Sequence, residues 1–220
     1  MVMSEGNQPI GFLFDLDGVI IDSENEYTRI WAQIDSEFPT GIPDFAHKIK
    51  GCTLTKILTE NYKDEDTREK VCDRLHQLEA KMKYDYLPFV KEFLDELKKR
   101  DLPCVLVTSS DNKKMEHLWE ELPELKHYFR HIVTGSEVKT SKPSPEGYIL
   151  GAGAIKCKPQ NCVVIEDSLQ GVMAGKNAGA LVVGVAGTLP AETITPYSDI
   201  LINSFEQVDL DSLIPQLKTR

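Results

Sequence analysis

Two aspartates stand two residues apart at the end of a short apolar stretch. Residues 10–14 are apolar apart from Gly11, a pattern typical of a strand that is buried on both faces of a parallel sheet. If the backbone stays extended, the side chains of Asp15 and Asp17 emerge on the same side and repel one another. Carboxylates held so close either share a proton or bind a cation. The pair therefore predicts a metal site, an acid/base site or both.

Polar side chains also follow three other predicted strands. A hydroxyl run at residues 108–110 follows a strand at 104–107, Glu166 and Asp167 follow a strand at 163–165, and Lys142 lies in a loop after a strand at 132–133. Ligands of open α/β sheets bind at the carboxyl ends of the strands, so we expect these groups to share one crevice. Acids suit hard cations and lysine suits phosphate, so a charged ligand is indicated.

Each of these groups also has a purely structural interpretation. Asp17-Gly18 is a common turn pair, and a hydroxyl of residues 108–110 could cap the following helix. Glu166 and Asp167 could cap the helix that begins near Leu169. A lysine on its own is usually solvated, but Lys142 lies in a stiff loop rich in proline, which favours a functional role.

The elements that must position these residues alternate along most of the chain. Further short apolar strands are predicted at residues 181–183 and 200–202, and helical patterns separate the strands. Residues 23–86 carry helical periodicity only. The pattern predicts a doubly wound parallel α/β sheet, built from residues 1–22 and 87–220, with an all-helical domain inserted at 23–86.

Composition limits the possible partners. The chain has 220 residues, 41% of them hydrophobic, and a formal net charge of -10, which argues against nucleic acid or an anionic membrane as the partner. Five cysteines without ligand spacing indicate reduced thiols. Residues 1–9 do not look like a signal peptide, and no run is long enough to span a membrane, so we expect a cytoplasmic protein. The oligomeric state is not readable from the sequence, although a monomer is plausible.

Four segments match a known family in order. Residues 15–23, 107–110, 142–143 and 164–171 resemble the four motifs of the haloacid dehalogenase superfamily, and the resemblance covers the whole chain. It is strongest to the branch of phosphatases and β-phosphoglucomutases. This resemblance implies a Rossmann-like core with a helical cap inserted after the first motif.

The resemblance also implies roles for the motif residues. It makes Asp15 the nucleophile that forms an aspartyl-phosphate, and Asp17 the general acid/base. It places Asp15, the Asp17 backbone carbonyl, Glu166 and Asp167 around Mg²⁺. The remaining phosphoryl oxygens would be held by three further groups: Thr108, the backbone N–H of Ser109, and Lys142.

The predicted cap departs from the mutase pattern. Tyr27 stands where β-phosphoglucomutases carry a histidine, and Leu54 stands where they carry an arginine for the sugar phosphate. The pair Lys50-Gly51 is retained. We therefore favour a phosphatase that hydrolyses a small phosphorylated metabolite such as a sugar phosphate, with Tyr27, Lys50 and Gly51 on the substrate side. A β-phosphoglucomutase-type mutase is the alternative.

Two other classes are compatible with part of the pattern. A receiver-like signalling module also joins paired acids, a threonine and a lysine around Mg²⁺, but it is a compact unit without a helical insert after its first acidic strand. A hydrolytic dehalogenase needs neither Mg²⁺ nor the second acid, Asp17. Both are therefore less favoured than the phosphatase.

Overall fold

A six-stranded parallel sheet forms the centre of the computed structural model, which describes residues 9–218. Its order is β3-β2-β1-β4-β5-β6, and every neighbouring pair is parallel. The strands are β1 (Gly11–Phe14), β2 (Cys104–Val107), β3 (His131–Val133), β4 (Cys162–Glu166), β5 (Leu181–Val185) and β6 (Ile200–Ile202). All six predicted strands are confirmed.

The α-helices of the described residues fall into two sets. The first set directly follows β1 and comprises α1 (Glu24–Glu37), α2 (Phe45–Lys48), α3 (Leu54–Asn61) and α4 (Glu65–Glu79). The second set is α5 (Val90–Lys99), α6 (Asn112–Glu121), α7 (Glu146–Ala154), α8 (Leu169–Ala178), α9 (Ala191–Ile194) and α10 (Leu210–Lys218). We call α1–α4 and their loops the cap, and the sheet with its other helices the core.

Strand β1 is buried on both faces because apolar clusters cover each side of the sheet. Phe12 and Phe14 pack in one cluster, whereas Leu13 packs in the other, as the two-residue period of a strand requires. Phe14 contacts the rings of Phe93 and Phe129 at centroid distances of 6.1 Å and 6.0 Å. The doubly wound α/β class is therefore confirmed.

The sheet reverses its direction of growth beside β1. The chain adds β2 and β3 on one side of β1 and then returns to place β4 on the other side. Such a switch point opens a crevice at the carboxyl ends of the two central strands. Phe14 and Ile165 are paired there, so the residues after them lie side by side.

Two adjacent chain segments connect the cap to the core. Ile21 and Tyr86 form an isolated antiparallel bridge. The Asp22 N–H donates to the Asp85 carbonyl at 2.9 Å, and the Leu87 N–H donates to the Ile20 carbonyl at 2.9 Å. The outgoing and returning segments are thus held together at the base of the cap.

Two sequence predictions concern the membrane and the N-terminus. Within residues 9–218, no helix combines the length and the apolar character needed to cross a bilayer. The prediction that residues 1–9 carry no signal peptide concerns positions that, except for Pro9, lie outside the described part of the chain.

Candidate active site

Three carboxylates and one ammonium meet at the carboxyl ends of β1 and β4. One oxygen each of Asp15, Glu166 and Asp167 lies within 4.8 Å of the others, and all three residues are buried. The Lys142 ammonium donates to Asp15 at 2.6 Å and to Glu166 at 2.5 Å. Because Lys142 comes from the loop after β3, the structure brings together residues that are widely separated in sequence.

Both oxygens of Glu166 are already engaged. Its Oε1 accepts from Lys142 and from the Tyr148 hydroxyl, the latter at 2.9 Å. Its Oε2 accepts from the backbone N–H groups of Asp167 and Ser168 and from the Ser168 hydroxyl, each at 3.0 Å. Glu166 is fully buried. These contacts orient Lys142 towards Asp15.

The carboxylate of Asp167 makes far fewer contacts than that of Glu166. Neither of its buried carboxylate oxygens has a hydrogen-bond partner of normal geometry among the described residues, although the Thr188 hydroxyl lies close enough to lower its pKa. An unsatisfied buried carboxylate is costly, so a ligand for it is expected. Gly18 leaves room beside it, because a Cβ at Gly18 would lie 2.0 Å from Asp167 Oδ2. Gly18 also adopts a φ of +72°, which favours glycine. The free oxygens and the hard donor set fit Mg²⁺.

The charges of the cluster shift the acid–base properties of its members. Burial raises the pKa of Asp15 to about 8, with a further increase from Glu166, although Lys142 opposes the shift. Burial and the neighbouring carboxylates raise the pKa of Asp167 well above its usual range. Burial alone would lower the pKa of Lys142, but Asp15 and Glu166 raise it overall. The site thus brings together more carboxyl groups than one lysine can keep ionised near neutral pH.

The Asp17 carboxylate lies outside this group. Its Oδ1 accepts from the Ser23 hydroxyl. Its Oδ2 accepts from the Ser110 hydroxyl at 3.2 Å and from the Lys114 ammonium at 2.5 Å. The chain turns directly after Leu16, whose carbonyl accepts from the backbone N–H groups of residues 19–21. The expected repulsion between the two aspartates persists, because the Asp17 charge still raises the pKa of Asp15.

Lys114 was missed by the sequence analysis. It lies on the buried stripe of α6 with Met115 and Leu118. A lysine in an apolar helical stripe is the signal that could have indicated a buried partner, since lysine is almost never fully buried without one. The sequence does not identify that partner, because Asp17 is 97 residues away.

The interpretation of residues 108–110 and of Glu166 and Asp167 as helix N-caps is wrong. The N-cap of α6 is Asp111, whose side chain accepts from the Lys114 N–H, and not a residue of the run 108–110. The N-cap of α8 is Ser168, and not Glu166 or Asp167. Within the run, Thr108 Oγ1 accepts from the Ser110 N–H at 3.0 Å. These residues are therefore available for other contacts at the strand ends.

Most of the expected site residues line one cleft between core and cap. The cleft is lined by Asp15, Asp17, Ser109 and Asp167 from the core and by Tyr27, Lys50 and Gly51 from the cap. Thr108 and Lys142 line a smaller cavity that shares Ser109 with the cleft. Much of the remaining cap wall is apolar, formed by Trp31, Ala46, Ile49, Leu54, Ile57 and Leu75.

The polar cap residues are already paired. Lys50 forms an ion pair with Glu24. The Tyr27 hydroxyl donates to Glu79 at 2.7 Å. Gly51 adopts a φ of +78°, and its carbonyl accepts from the Ser109 hydroxyl at 2.9 Å. A Cβ at Gly51 would also approach Ser168 Oγ to 2.7 Å, so this position favours glycine for two reasons.

The chain combines a doubly wound parallel sheet with buried acids and a lysine at the carboxyl edge of that sheet. The family model of haloacid dehalogenase-like hydrolases matches residues 12–185, which is more than half of the chain. The chain therefore belongs to the haloacid dehalogenase-like hydrolases.

Similar curated proteins indicate which type of hydrolase this chain is. Hexitol phosphatase A of Escherichia coli strain K12 is 32% identical over 206 residues, covering 90% of this chain and 92% of the relative. The phosphorylated carbohydrates phosphatase of Thermotoga maritima is 30% identical over 174 residues, covering 76% and 80%. Together with the family match, these relatives identify the chain as an enzyme of the phosphatase type.

A solved structure agrees with the fold. The crystal structure of beta-phosphoglucomutase from Clostridium difficile matches with a TM-score of 0.80 and 23% identity, covering 96% of this chain and 98% of the other. At that identity the likeness concerns the fold alone.

Proposed function

We propose that this enzyme hydrolyses a small phosphorylated metabolite, such as a sugar phosphate, with Mg²⁺ as cofactor and Asp15 as nucleophile. The observation that carries the proposal is the placement of Asp15. Its carboxylate follows β1, accepts from Lys142 at 2.6 Å and lies within 4.8 Å of Glu166 and Asp167 oxygens. A buried carboxylate beside a cation and a free acid suits phosphoryl transfer.

The reaction proceeds in two displacements. A carboxylate oxygen of Asp15 attacks phosphorus, the phosphorus–oxygen ester bond breaks, and Asp17 gives a proton to the departing alkoxide. Asp17, now a carboxylate, then takes a proton from the water that attacks the aspartyl-phosphate. Inorganic phosphate leaves and Asp15 is regenerated. Both acids line the same cleft, which supports this division of roles.

Four groups of this chain would surround Mg²⁺. They are Asp15, the Asp17 backbone carbonyl, Glu166 and Asp167, of which Asp167 has both oxygens free of partners among the described residues. When bound, the cation neutralises the excess carboxylate charge and allows an anionic phosphate to approach. Glu166 also holds Lys142 in place through its Oε1.

The remaining phosphoryl oxygens are held by Thr108, the Ser109 N–H and Lys142. Thr108 and Lys142 line the same small cavity, and Lys142 Nζ bonds the nucleophile itself. A cation next to the attacking group stabilises the charge that develops on the transferring phosphoryl group.

The cap, with proposed boundaries at residues 23 and 86, covers the site and contributes Tyr27, Lys50 and Gly51. Its composition supports hydrolysis rather than a mutase reaction. A mutase must hold a second phosphate on the cap, but Lys50 is neutralised by Glu24 and the apolar Leu54 lines the cleft. The names of the Escherichia coli and Thermotoga maritima relatives support a phosphorylated carbohydrate or polyol as the substrate.

The test is a phosphate-release assay over phosphorylated sugars and polyols, with and without Mg²⁺. We expect Mg²⁺-dependent release by the wild type and loss of turnover in Asp15→Asn. Asp22→Asn is the matched control, because Asp22 makes the same change seven residues along at an exposed position. Full activity in Asp15→Asn would refute the proposal. Isomerisation of glucose 1-phosphate with little free phosphate would replace it with the mutase.

A further inference from the structure

Helix α6 is the part of the core that meets cap helix α4. At its N-terminus, Asp111 accepts from His76 Nε2 at 2.9 Å. Two turns later, His117 Nε2 lies 3.0 Å from the Met82 carbonyl, just after α4. Lys114 lies between these two contacts on the same face of α6. Its position therefore depends on how the cap sits on the core.

Lys114 is held between the cap and Asp17. Its side chain is only 5% exposed, and its ammonium donates to Asp17 Oδ2 at 2.5 Å. The same ammonium lies 4.2 Å from the centroid of the Tyr27 ring, which belongs to cap helix α1. A buried cation over an aromatic face is well stabilised. The Tyr27 hydroxyl is fixed in turn by Glu79 of α4.

We propose that Lys114 is a positioning residue for Asp17, and that it makes the orientation of this acid depend on a closed cap. The inference rests on the proposed function, in which Asp17 protonates the leaving oxygen. Ser23 and Ser110 bind Asp17 through neutral hydroxyls, whereas Lys114 supplies the charge-assisted bond to the ionised acid, which is the stronger kind. Because this bond holds Oδ2, the proton that Asp17 takes up and gives away is carried by Oδ1. When the cap opens, Tyr27 leaves the ammonium and this hold on Asp17 weakens.

The assignment has a chemical consequence. An alkyl phosphate has a poor leaving group and needs its proton from Asp17, whereas p-nitrophenyl phosphate has a good leaving group and needs none. Misplacing Asp17 therefore slows the alkyl ester selectively. A loss of folding or of phosphate binding would slow both esters equally.

The experiment compares kcat/KM for an alkyl phosphate substrate and for p-nitrophenyl phosphate in Lys114→Met. Because general acid catalysis contributes about 10²–10⁴-fold, we expect the alkyl-to-aryl ratio to fall by about 10-fold or more. Lys113→Met is the matched control, since Lys113 is the exposed neighbour on the same helix, and its ratio stays at the wild-type value.

The ratio does not depend on the folded fraction, because unfolded enzyme contributes to neither rate. If Lys114→Met yields no soluble protein, the same alkyl-to-aryl ratio of kcat/KM is measured in Lys114→Gln. An unchanged ratio, or an equal loss on both substrates, overturns the positioning role. The proposed function itself would be refuted if the wild type had no phosphatase activity, or if Asp15→Asn had full activity. A failure of the proposed function is therefore distinguishable from a failure of the positioning role of Lys114.

Discussion

At the scale of single residues, two aspartates of the same type and two residues apart have different surroundings. Asp15 stays in line with β1 and joins a buried group with Glu166 and Asp167. Asp17 lies beyond the turn at Leu16 and receives three donors instead. Because the backbone turns between them, the two side chains have different hydrogen-bond partners, which suits the separate roles proposed for them in attack and in proton transfer.

The crowding of buried carboxyl groups predicts a pH-dependent effect on stability. Asp15 in the folded, metal-free protein has a pKa of about 8, compared with 3.8 for the same group unperturbed. Between these values the folded state retains a proton that the unfolded state has released. The free energy of unfolding therefore falls as the pH rises from about 4 to about 8. The raised pKa of Asp167 acts in the same direction.

We therefore expect Asp15→Asn to raise the Tm of the metal-free protein at pH 8 relative to the wild type, with a smaller difference at pH 5. The change does not orphan Lys142, which keeps its bond to Glu166. A gain of 1 kcal/mol corresponds to about 2–4 °C for a protein of this size. Thermal unfolding with a chelator present measures the difference.

The control for this measurement is Asp22→Asn, which changes an exposed carboxylate and should follow the wild type at both pH values. Identical pH dependence in Asp15→Asn and the wild type would show that the Asp15 carboxylate carries no penalty. The charge argument for a cation in this cluster would then fail.

At the scale of elements, the loop between α2 and α3 connects the cap to both core segments that are proposed to bind phosphate. The Ser109 hydroxyl donates to the Gly51 carbonyl at 2.9 Å, and the Thr53 N–H donates to Ser141 Oγ at 2.9 Å. Ser141 precedes Lys142, and Ser109 is the residue whose N–H is proposed to hold phosphate. The loop therefore rests on the two places where the core is expected to contact substrate phosphate.

Removing the hydroxyls of Ser109 and Ser141 tests the connection between the cap loop and the core. In the double variant Ser109→Ala and Ser141→Ala, the Ser109 N–H is retained but two hydrogen bonds to the cap loop are lost. At about 1 kcal/mol for each bond, we expect kcat/KM to fall by about 10–30-fold. Steady-state kinetics on the best substrate measures the loss, while circular dichroism checks the fold.

Ser36→Ala is the matched control, since Ser36 is an exposed serine on α1. If the double variant kept wild-type kcat/KM, the loop contacts would have no part in closure over the substrate. A loss confined to Tm would assign them to stability alone.

At the scale of the whole molecule, the proposed cation would couple catalysis to stability. Its proposed ligands lie at the ends of β1 and β4, which are at the centre of the sheet, so binding should stabilise the folded state as a whole. Ligand at 100 times its Kd adds about 2.7 kcal/mol to the free energy of unfolding. For a protein of this size this corresponds to an increase in Tm of about 5–10 °C.

We expect Mg²⁺ to raise the Tm of the wild type and to have little effect on Asp167→Asn, which removes the carboxylate with both oxygens free. Thermal unfolding over a Mg²⁺ titration measures the difference, and Asp22→Asn again serves as the control with an intact site. An equal Mg²⁺ effect in Asp167→Asn and the wild type would exclude Asp167 as a ligand.

The sequence by itself determined the strands, the doubly wound class and the segments that supply the site. Each of these depends on local pattern: apolar runs such as 104–107 and 163–165 form buried strands wherever they pair, and the polar residues after them must lie at the same edge. The family motifs then indicated the reaction class. Residues 15, 17, 108–110, 142 and 166–167 were predicted as site residues in this way.

Only the tertiary structure decided which charges pair. It placed Lys114 on Asp17, neutralised Lys50 with Glu24, saturated Glu166 and left Asp167 free. The physical reason is that ion pairing depends on distances between side chains from different elements, and these are set by helix packing and cap closure. Periodicity along the chain reports which face of an element is buried, but it does not report which residue lies opposite.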